Sequence, residues 1–333
     1  MPRGVGRPPA DALDDAARSV MLADGLWSAA NLARTAVGVS ASRRTDIPAL
    51  FGAWFAHRLD AGFAEYIPAG PPRRVRRSLL PADVTHFDFW TKWPRPFFPV
   101  LEKVLAAGYP VVWNVTISGL GGTEVEPNVP TADRAVRALL ELCRRLPPGA
   151  VLWRYDPVFL SSRHGLGEHL STFTRLVERL AGHVDRVAVN FVSPYARRVL
   201  PDLRAYQAEF SDPMTETTLG QRLDLIARLR AVAEPAGIPF TLCCLPDEAA
   251  ASGCPATGCN AWSWIVRVYP QLAAHRWLKT RPGRSGCECS EEVDIGVYDT
   301  CILGCRYSYG SCSQSRAREL FATHDPAAPC LVP

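Results

Sequence analysis

Five of the eleven cysteines fall in one short stretch near the end of the chain, CECSEEVDIGVYDTCILGCRYSYGSC, residues 287 to 312. Cys287 and Cys289 form a C-x-C pair and Cys301 and Cys305 a C-x-x-x-C pair; Cys312 follows. Short-spaced thiolates on either side of a brief loop can converge on one inorganic centre, and zinc and iron–sulfur clusters are the occupants such ligands favour. Gly286, Gly296, Gly304 and Gly310 permit the tight bends that such a loop needs. These five cysteines are therefore the candidate metal ligands. Cys243-Cys244 and the loop pair Cys254 and Cys259 are a further group, readable as a second metal site or as ordinary thiols. Cys143 reads as a core thiol and Cys330 as part of a loose tail. The seven histidines show no ligand spacing.

A second set of chemically able residues sits at the ends of apolar runs. SASRRTD supplies Arg43, Arg44 and Asp46; FDFWTK ends in Lys92; VVWNVTI carries Asn114 and Thr116; EPN contains Asn128; VLWRYDP carries Arg154 and Asp156. Arg43 or Arg44, Lys92 and Arg154 would make a cationic pocket for a carboxylate or phosphate. Asp46 and Asp156 would pair with those cations or serve as general acid or base. Asn114, Thr116, Asn128 and Tyr307 are the candidate cofactor-binding residues.

These residues need a scaffold that collects strand ends. Short runs, apolar on both faces, recur at residues 37–40, 87–91, 111–117, 151–155, 186–192 and 240–244, with helical periods between them. Helices are expected over about 48–60, 97–107, 131–146, 168–181 and 217–233. Six such units predict an α/β fold: a parallel βα barrel or partial barrel with an irregular Cys-rich cap. In such a barrel all the strand ends face one way and build the site there. Residues 63–80 interrupt the rhythm and read as a hairpin with a basic second strand. The expected organisation is an N-terminal appendage (1–36), the barrel-like domain (37–244) and a metal-binding cap and tail (245–333). No G-x-G-x-x-G or P-loop follows a strand.

The 333 residues carry a net charge of +4, with 47% hydrophobic and 21% charged residues. That balance makes no demand for nucleic acid. No apolar run reaches the roughly 18 residues of a membrane span, and acidic residues occupy the place of a signal peptide's apolar core. A cytoplasmic protein is expected, in which cysteines serve metal or redox chemistry rather than disulfides.

SASRRTDIPA, FWTK, EPNVP, WRYDP and DIGVYDTCILGCRYSY together resemble an uncharacterised bacterial family, number eighteen-forty-eight among the domains of unknown function. The resemblance spans about residues 37–309. Members of that family end in C-x-x-x-C-x-Y-C-Y, similar to the cysteine triad of radical S-adenosylmethionine enzymes and spore-photoproduct-lyase-like proteins. It implies a [4Fe–4S] cluster with one iron open to S-adenosylmethionine, and an electron donor such as a ferredoxin or flavodoxin. This chain has Ser308 at the third cysteine position. Cys312 replaces it, or Cys287 and Cys289 complete a four-sulfur set with Cys301 and Cys305, or the cluster site has decayed. Three functions compete. The first is an iron–sulfur enzyme acting on a small anionic substrate. The second is a zinc-stabilised barrel, hydrolase or binding protein, stapled by Cys287, Cys289, Cys301 and Cys305. The third is a nucleic-acid-binding or repair protein using Arg73, Arg74, Arg76 and Arg77.

Overall fold

The computed structural model describes residues 36–68, 73–275 and 286–332. The appendage expected over 1–36 lies, apart from Ala36, outside the described residues. Seven strands form one sheet in the order β8-β7-β6-β5-β4-β1-β9, and every pairing in it is parallel. The strands are β1 (Val37–Ala41), β4 (Val84–Thr91), β5 (Val111–Thr116), β6 (Val151–Val158), β7 (Val187–Phe191), β8 (Phe240–Leu242) and β9 (Glu292–Asp294). Between them run α1 (Ile47–Leu50), α2 (Gly52–Ala61), α3 (Phe98–Ala106), α4 (Ala132–Cys143), α5 (Leu166–Leu180), α6 (Leu200–Phe210) and α7 (Leu219–Ala233). Parallel neighbours need crossovers, and helices supply them. The fold is thus α/β, as the alternation of apolar runs and helical periods predicts.

The strands are apolar on both faces because both faces are covered. Every residue of β7 is buried, and all but one of β5. The helices offer one stripe each: α4 buries Val136, Leu139 and Leu142, and α5 buries Phe173, Leu176, Val177 and Leu180. Phe55, Phe87, Phe89, Phe97 and Trp113 pack ring on ring on one side of the core, and Trp153, Tyr155, Phe173 and Phe240 on the other. Each fully buried phenylalanine contributes about 1.5–3 kcal/mol.

The interruption at 63–80 is an antiparallel pair, β2 (Phe63–Tyr66) with β3 (Val75–Ser78). Of its arginines, Arg74 reaches across to the Val332 carbonyl, while Arg76 and Arg77 are held close to the hairpin. Arg76 pairs with Glu65 at 3.1 Å and lies over the Phe63 ring, and Arg77 is buried and donates to the Asp83 carbonyl.

The region beyond residue 244 is more regular than an irregular cap. It adds α8 (Pro246–Ser252), α9 (Trp262–Val268), edge strand β9 and α10 (Gln314–Ala322). Ile295, Val297 and Leu331 join the main core. Cys330, expected in a loose tail, is buried beside β2, where residue 65 donates its amide to the Pro329 carbonyl. The side chains of Trp54 and Arg58 on α2 donate to the carbonyls of Ala328 and Ala327. Among the described residues, no helix is long and apolar enough to cross a membrane.

Candidate functional site

All strands being parallel, β1, β4, β5, β6, β7 and β8 end on one side. A cavity of about 1480 Å³ opens there. Its walls carry Arg43, Asp46, Lys92, Thr116, Arg154, Asp156 and Asn190 from the strand ends, and Cys243, Cys259, Cys287, Cys289, Cys301 and Cys305 from strand-end and cap segments.

The loop after β1 is locked to the segment after β9. Asp294 accepts from the Ser42 hydroxyl at 2.6 Å and from the Arg43 amide at 2.9 Å. Gly296 is obligatory here: a Cβ on it would stand 1.9 Å from Ser42 Oγ. Arg43 reaches Glu292 at 3.6 Å. Arg44 also stands on the cavity wall, its guanidinium donating to the carbonyls of Ile67 and Asp294. Asp46 caps α1 through the Ala49 amide and also accepts from the Lys92 amide at 2.8 Å. Burial pushes its carboxyl up to about 6, against those amide bonds. Asp46 therefore splices the ends of β1 and β4 together.

Lys92 enters a compact polar cluster. Its Nζ donates to Glu126 Oε1 at 3.0 Å, which also accepts from Ser118 Oγ at 2.6 Å and from the Tyr307 hydroxyl. Burial is the largest influence and opposes the Lys92 charge, but Glu126, Cys305 and Asp46 together outweigh it and hold the ammonium above its ordinary value. Cys301 and Cys305 stand beside this cluster, packed with Val129, Leu303 and Tyr307. Burial pushes the Cys301 thiol up to about 12, and the Cys305 thiol is raised for the same reason. Asn128 faces away from the cavity as a brace: its side chain donates to the Ile302 carbonyl at 2.9 Å. The Arg306 amide donates to the Val125 carbonyl. The EPNVP stretch and the C-x-x-x-C loop are thus built onto each other.

Ser308 and Cys312 are engaged elsewhere. Ser308 Oγ accepts from the amides of Gly310 and Ser311 at 3.1 and 3.3 Å, so its hydroxyl stabilises the turn. Cys312 Sγ lies 3.4 Å from Asp299 Oδ1, the carboxylate that also faces Arg198.

Arg154 organises the other wall. Its guanidinium contacts Asp156 and the Cys259 sulfur, lies 3.9 Å from Cys243 Sγ, and covers the Trp90 ring at 4.8 Å. Cys243, Cys259 and Cys289 are buried together against Trp90, with Cys244 and Cys287 at the edge. Cys254, from the same loop as Cys259, goes instead into the main core. Thr116 lines the cavity, whereas Asn114 lies beneath it and donates to Asp88 at 2.9 Å. Among the described residues, no three or more His, Cys, Asp or Glu side chains are posed as a metal-ion site. The ten site residues named from strand ends and motifs thus divide into those on the cavity wall and those that brace it, Asp46 doing both.

Three groups escaped sequence reasoning. Glu126 is the acceptor of the Lys92 cluster. Asp88 and Glu292 form a buried acidic pair, Asp88 beneath the cavity and Glu292 at its wall, with His86, whose Nε2 lies 3.3 Å from Glu292. The signal for Asp88 was present: a carboxylate inside the apolar run FDFWT has to be satisfied. Burial pushes Glu292 up to about 7 and His86 down to about 4. Folded protein therefore holds the Glu292 proton where unfolded chain has lost it, and this term costs stability as pH rises from about 4.5 to 7. Glu292→Gln removes it. The variant should gain about 2–3 kcal/mol relative to wild type between pH 5 and 8. Urea midpoints that differ by a constant amount across that range would contradict the assignment.

SASRRTD, EPNVP and the cysteine loop lie around one cavity, and the sequence that carries them matches a family model. That model is described as domain of unknown function (DUF1848) and covers residues 39–310. The chain belongs to the DUF1848 family. No curated protein and no solved structure matches it. Membership accounts for the motifs as a set, since the matched span begins inside β1 and ends at the turn that Ser308 holds.

Proposed function

We propose that this chain is a metal-dependent enzyme of the iron–sulfur class, acting on a small anionic substrate at the strand-end cavity. One observation carries the reading: Arg43, Lys92 and Arg154 line the same cavity as Cys243, Cys259, Cys289 and Cys305. Guanidinium and ammonium groups recognise carboxylate or phosphate, and thiolates hold soft metal centres. Arg43, Lys92 and Arg154 suit an anion, and Arg76 and Arg77 of β3 are engaged by Glu65 and the Asp83 carbonyl, which is why nucleic acid is not taken as the substrate.

The finer architecture is read as a partial barrel. Support comes from residues 255–260, which touch both sheet edges. The Leu242 amide of β8 donates to the Pro255 carbonyl, and the Ser290 amide, two residues before β9, donates to the Asn260 side chain. A cytoplasmic setting suits the free thiols.

The radical S-adenosylmethionine form of the reading fits less well. A cluster with one open iron needs three thiolates at Cys301, Cys305 and the position of Ser308. Only two are thiols, and the Ser308 oxygen already accepts two backbone amides. Cys312 is held on Asp299. No step through S-adenosylmethionine is therefore derived. A zinc-bound form is the second reading, favoured by the same observation, because a closed structural site has no need of the Ser308 position.

Metal and sulfide analysis of oxygen-free protein decides between them. Iron with matching acid-labile sulfide, and a brown solution, is expected. One zinc and no sulfide selects the second reading. Neither metal bound removes both. Cys301→Ala then asks whether the C-x-x-x-C loop contributes.

A further inference from the structure

We propose that Cys243, Cys259, Cys287 and Cys289 form a tetrathiolate metal site on the Arg154 wall, distinct from the Cys301–Cys305 loop. Three separate segments deliver these sulfurs: the end of β8, the loop before α9, and the approach to β9. They meet sulfur on sulfur. Cys243 Sγ lies 3.1 Å from Cys259 Sγ, and the thiols of Cys259 and Cys289, and of Cys289 and Cys287, are within hydrogen-bonding reach of each other. The chain of contacts is continuous through all four. Cys243, Cys259 and Cys289 are buried, while Cys287 is partly exposed at the cavity wall and marks the way in.

The backbone is shaped to bring them together. Gly258, one residue before Cys259, has no room for a side chain: a Cβ would stand 2.3 Å from the Glu288 carbonyl oxygen and 2.8 Å from the Cys289 nitrogen. The Asn260 side chain accepts from the Ser290 amide at 3.2 Å, and the Asn114 side chain donates to the Cys259 carbonyl at 3.4 Å. Such bonds to the residues beside the ligands are what orient a metal site. Ordinary core cysteines pack among aliphatic side chains, as Cys254 does in the main core. These instead pack on one another, on Trp90, and on a guanidinium.

Charge supports the assignment. Four thiolates with one divalent ion carry −2, and four with an oxidised four-iron cluster carry the same. Arg154 touches Cys259 and approaches Cys243, and Arg43 lies near enough to Cys289 for their charges to interact. Both guanidinium groups also face carboxylates, Arg43 those of Glu292 and Asp294 and Arg154 that of Asp156, so they offset part of that charge. As they stand, these sulfurs are not posed as a metal-ion site, because Cys243 and Cys259 Sγ, at 3.1 Å, lie closer than a coordinated set. A tetrahedral zinc with bonds of about 2.3 Å separates its sulfurs to about 3.8 Å, so Cys243 and Cys259 must move apart by less than about 1 Å. Binding releases the four thiol protons to water.

This deepens the metal-centre reading by naming its ligands, and it fails separately from it. The test compares tightly bound metal, after dialysis against a chelator, in oxygen-free wild type and in Cys243→Ser, Cys259→Ser, Cys287→Ser and Cys289→Ser. Cys301→Ser and Cys254→Ser are controls. Each of the four should lose metal by at least about tenfold, and both controls should stay within about twofold. Cobalt added to metal-free protein should give a thiolate charge-transfer band that the same four variants lose. Because Cys287 is partly exposed, Cys287→Ser keeps the test alive where a buried variant fails to fold. Zinc lost from the four variants supports the site and overturns iron–sulfur chemistry. Iron and sulfide that depend on Cys301 but not on Cys259 or Cys287 overturn the site and leave the broader reading standing. Wild-type protein free of metal overturns both.

Discussion

Glu126→Ala should unfold at a markedly lower urea concentration than wild type, with a loss of about 3–5 kcal/mol. The carboxylate is 1% exposed and is the shared acceptor for Lys92, Ser118 and Tyr307. Its removal leaves an ammonium and two hydroxyls without their acceptor at the cavity wall. The charged partner dominates, because a buried cation without its anion is far more costly than an unpaired hydroxyl. Lys92→Met in the Glu126→Leu background should recover most of the loss, since an apolar pair of similar volume suits the same space. A single-variant loss under about 1 kcal/mol, or no recovery in the double variant, would show that the Lys92–Glu126 pair is not what holds the wall. The same cluster seats Tyr307 and Cys305, so the variant should also expose Cys305 to alkylation.

Asp212→Ala should be comparably damaging, again by about 3–5 kcal/mol. Asp212 is fully buried and accepts four bonds: Ser161 Oγ at 2.7 Å, Ser162 Oγ at 2.6 Å, the Tyr206 hydroxyl at 2.6 Å and the Arg163 amide at 3.2 Å. It ties the loop after β6 to α6, beside the small core of Leu120, Val125 and Phe159 on which Tyr307 packs. Burial works against the ionised form, but the three hydroxyls and the amide prevail and hold the carboxyl down to about 2. Unfolded chain titrates near the ordinary value of about 3.8. The stabilisation is therefore complete above about pH 4 and is lost as pH falls towards 2, amounting to about 2 kcal/mol. The variant should lack that acid limb. Thermal melts of the two proteins between pH 2 and 5 measure it, and parallel curves would argue against the role given to Asp212.

The two variants also separate two ways in which the cavity is held. Glu126 acts from within the wall, through groups that face the cavity. Asp212 acts from behind it, through residues 161–163, which are not on the cavity wall. A metal centre on the Arg154 wall would be little affected by either change, so metal content serves as an internal control for local rather than global damage.

The sequence by itself determined the alternation of strands and helices and the collection of polar groups at strand ends. Both are local signals. An apolar run of five residues reports a strand buried on two faces, and Arg154 or Lys92 closing such a run reports where the strand surfaces. The antiparallel hairpin and its basic strand were legible for the same reason, as was the family through its motifs. Three things were not. α6 has little one-sided patterning, burying only Leu203 and Tyr206. Asn114 and Asn128 carry the side chains of binding residues, yet they brace Asp88 and the 302 carbonyl, and only packing tells the two roles apart. The partners of each cysteine were the third. Spacing put Cys287 and Cys289 with Cys301 and Cys305, but β9 lies between the pairs and is pinned in parallel to β1, with Ser40 opposite Asp294. An extended strand carries the chain about 3.3 Å per residue, so the two pairs are delivered to different places. Cys287 and Cys289 consequently meet Cys259 and Cys243, which lie 28 or more residues earlier in the chain. Such contacts depend on where the two edges of a sheet come to rest, and no local pattern records that.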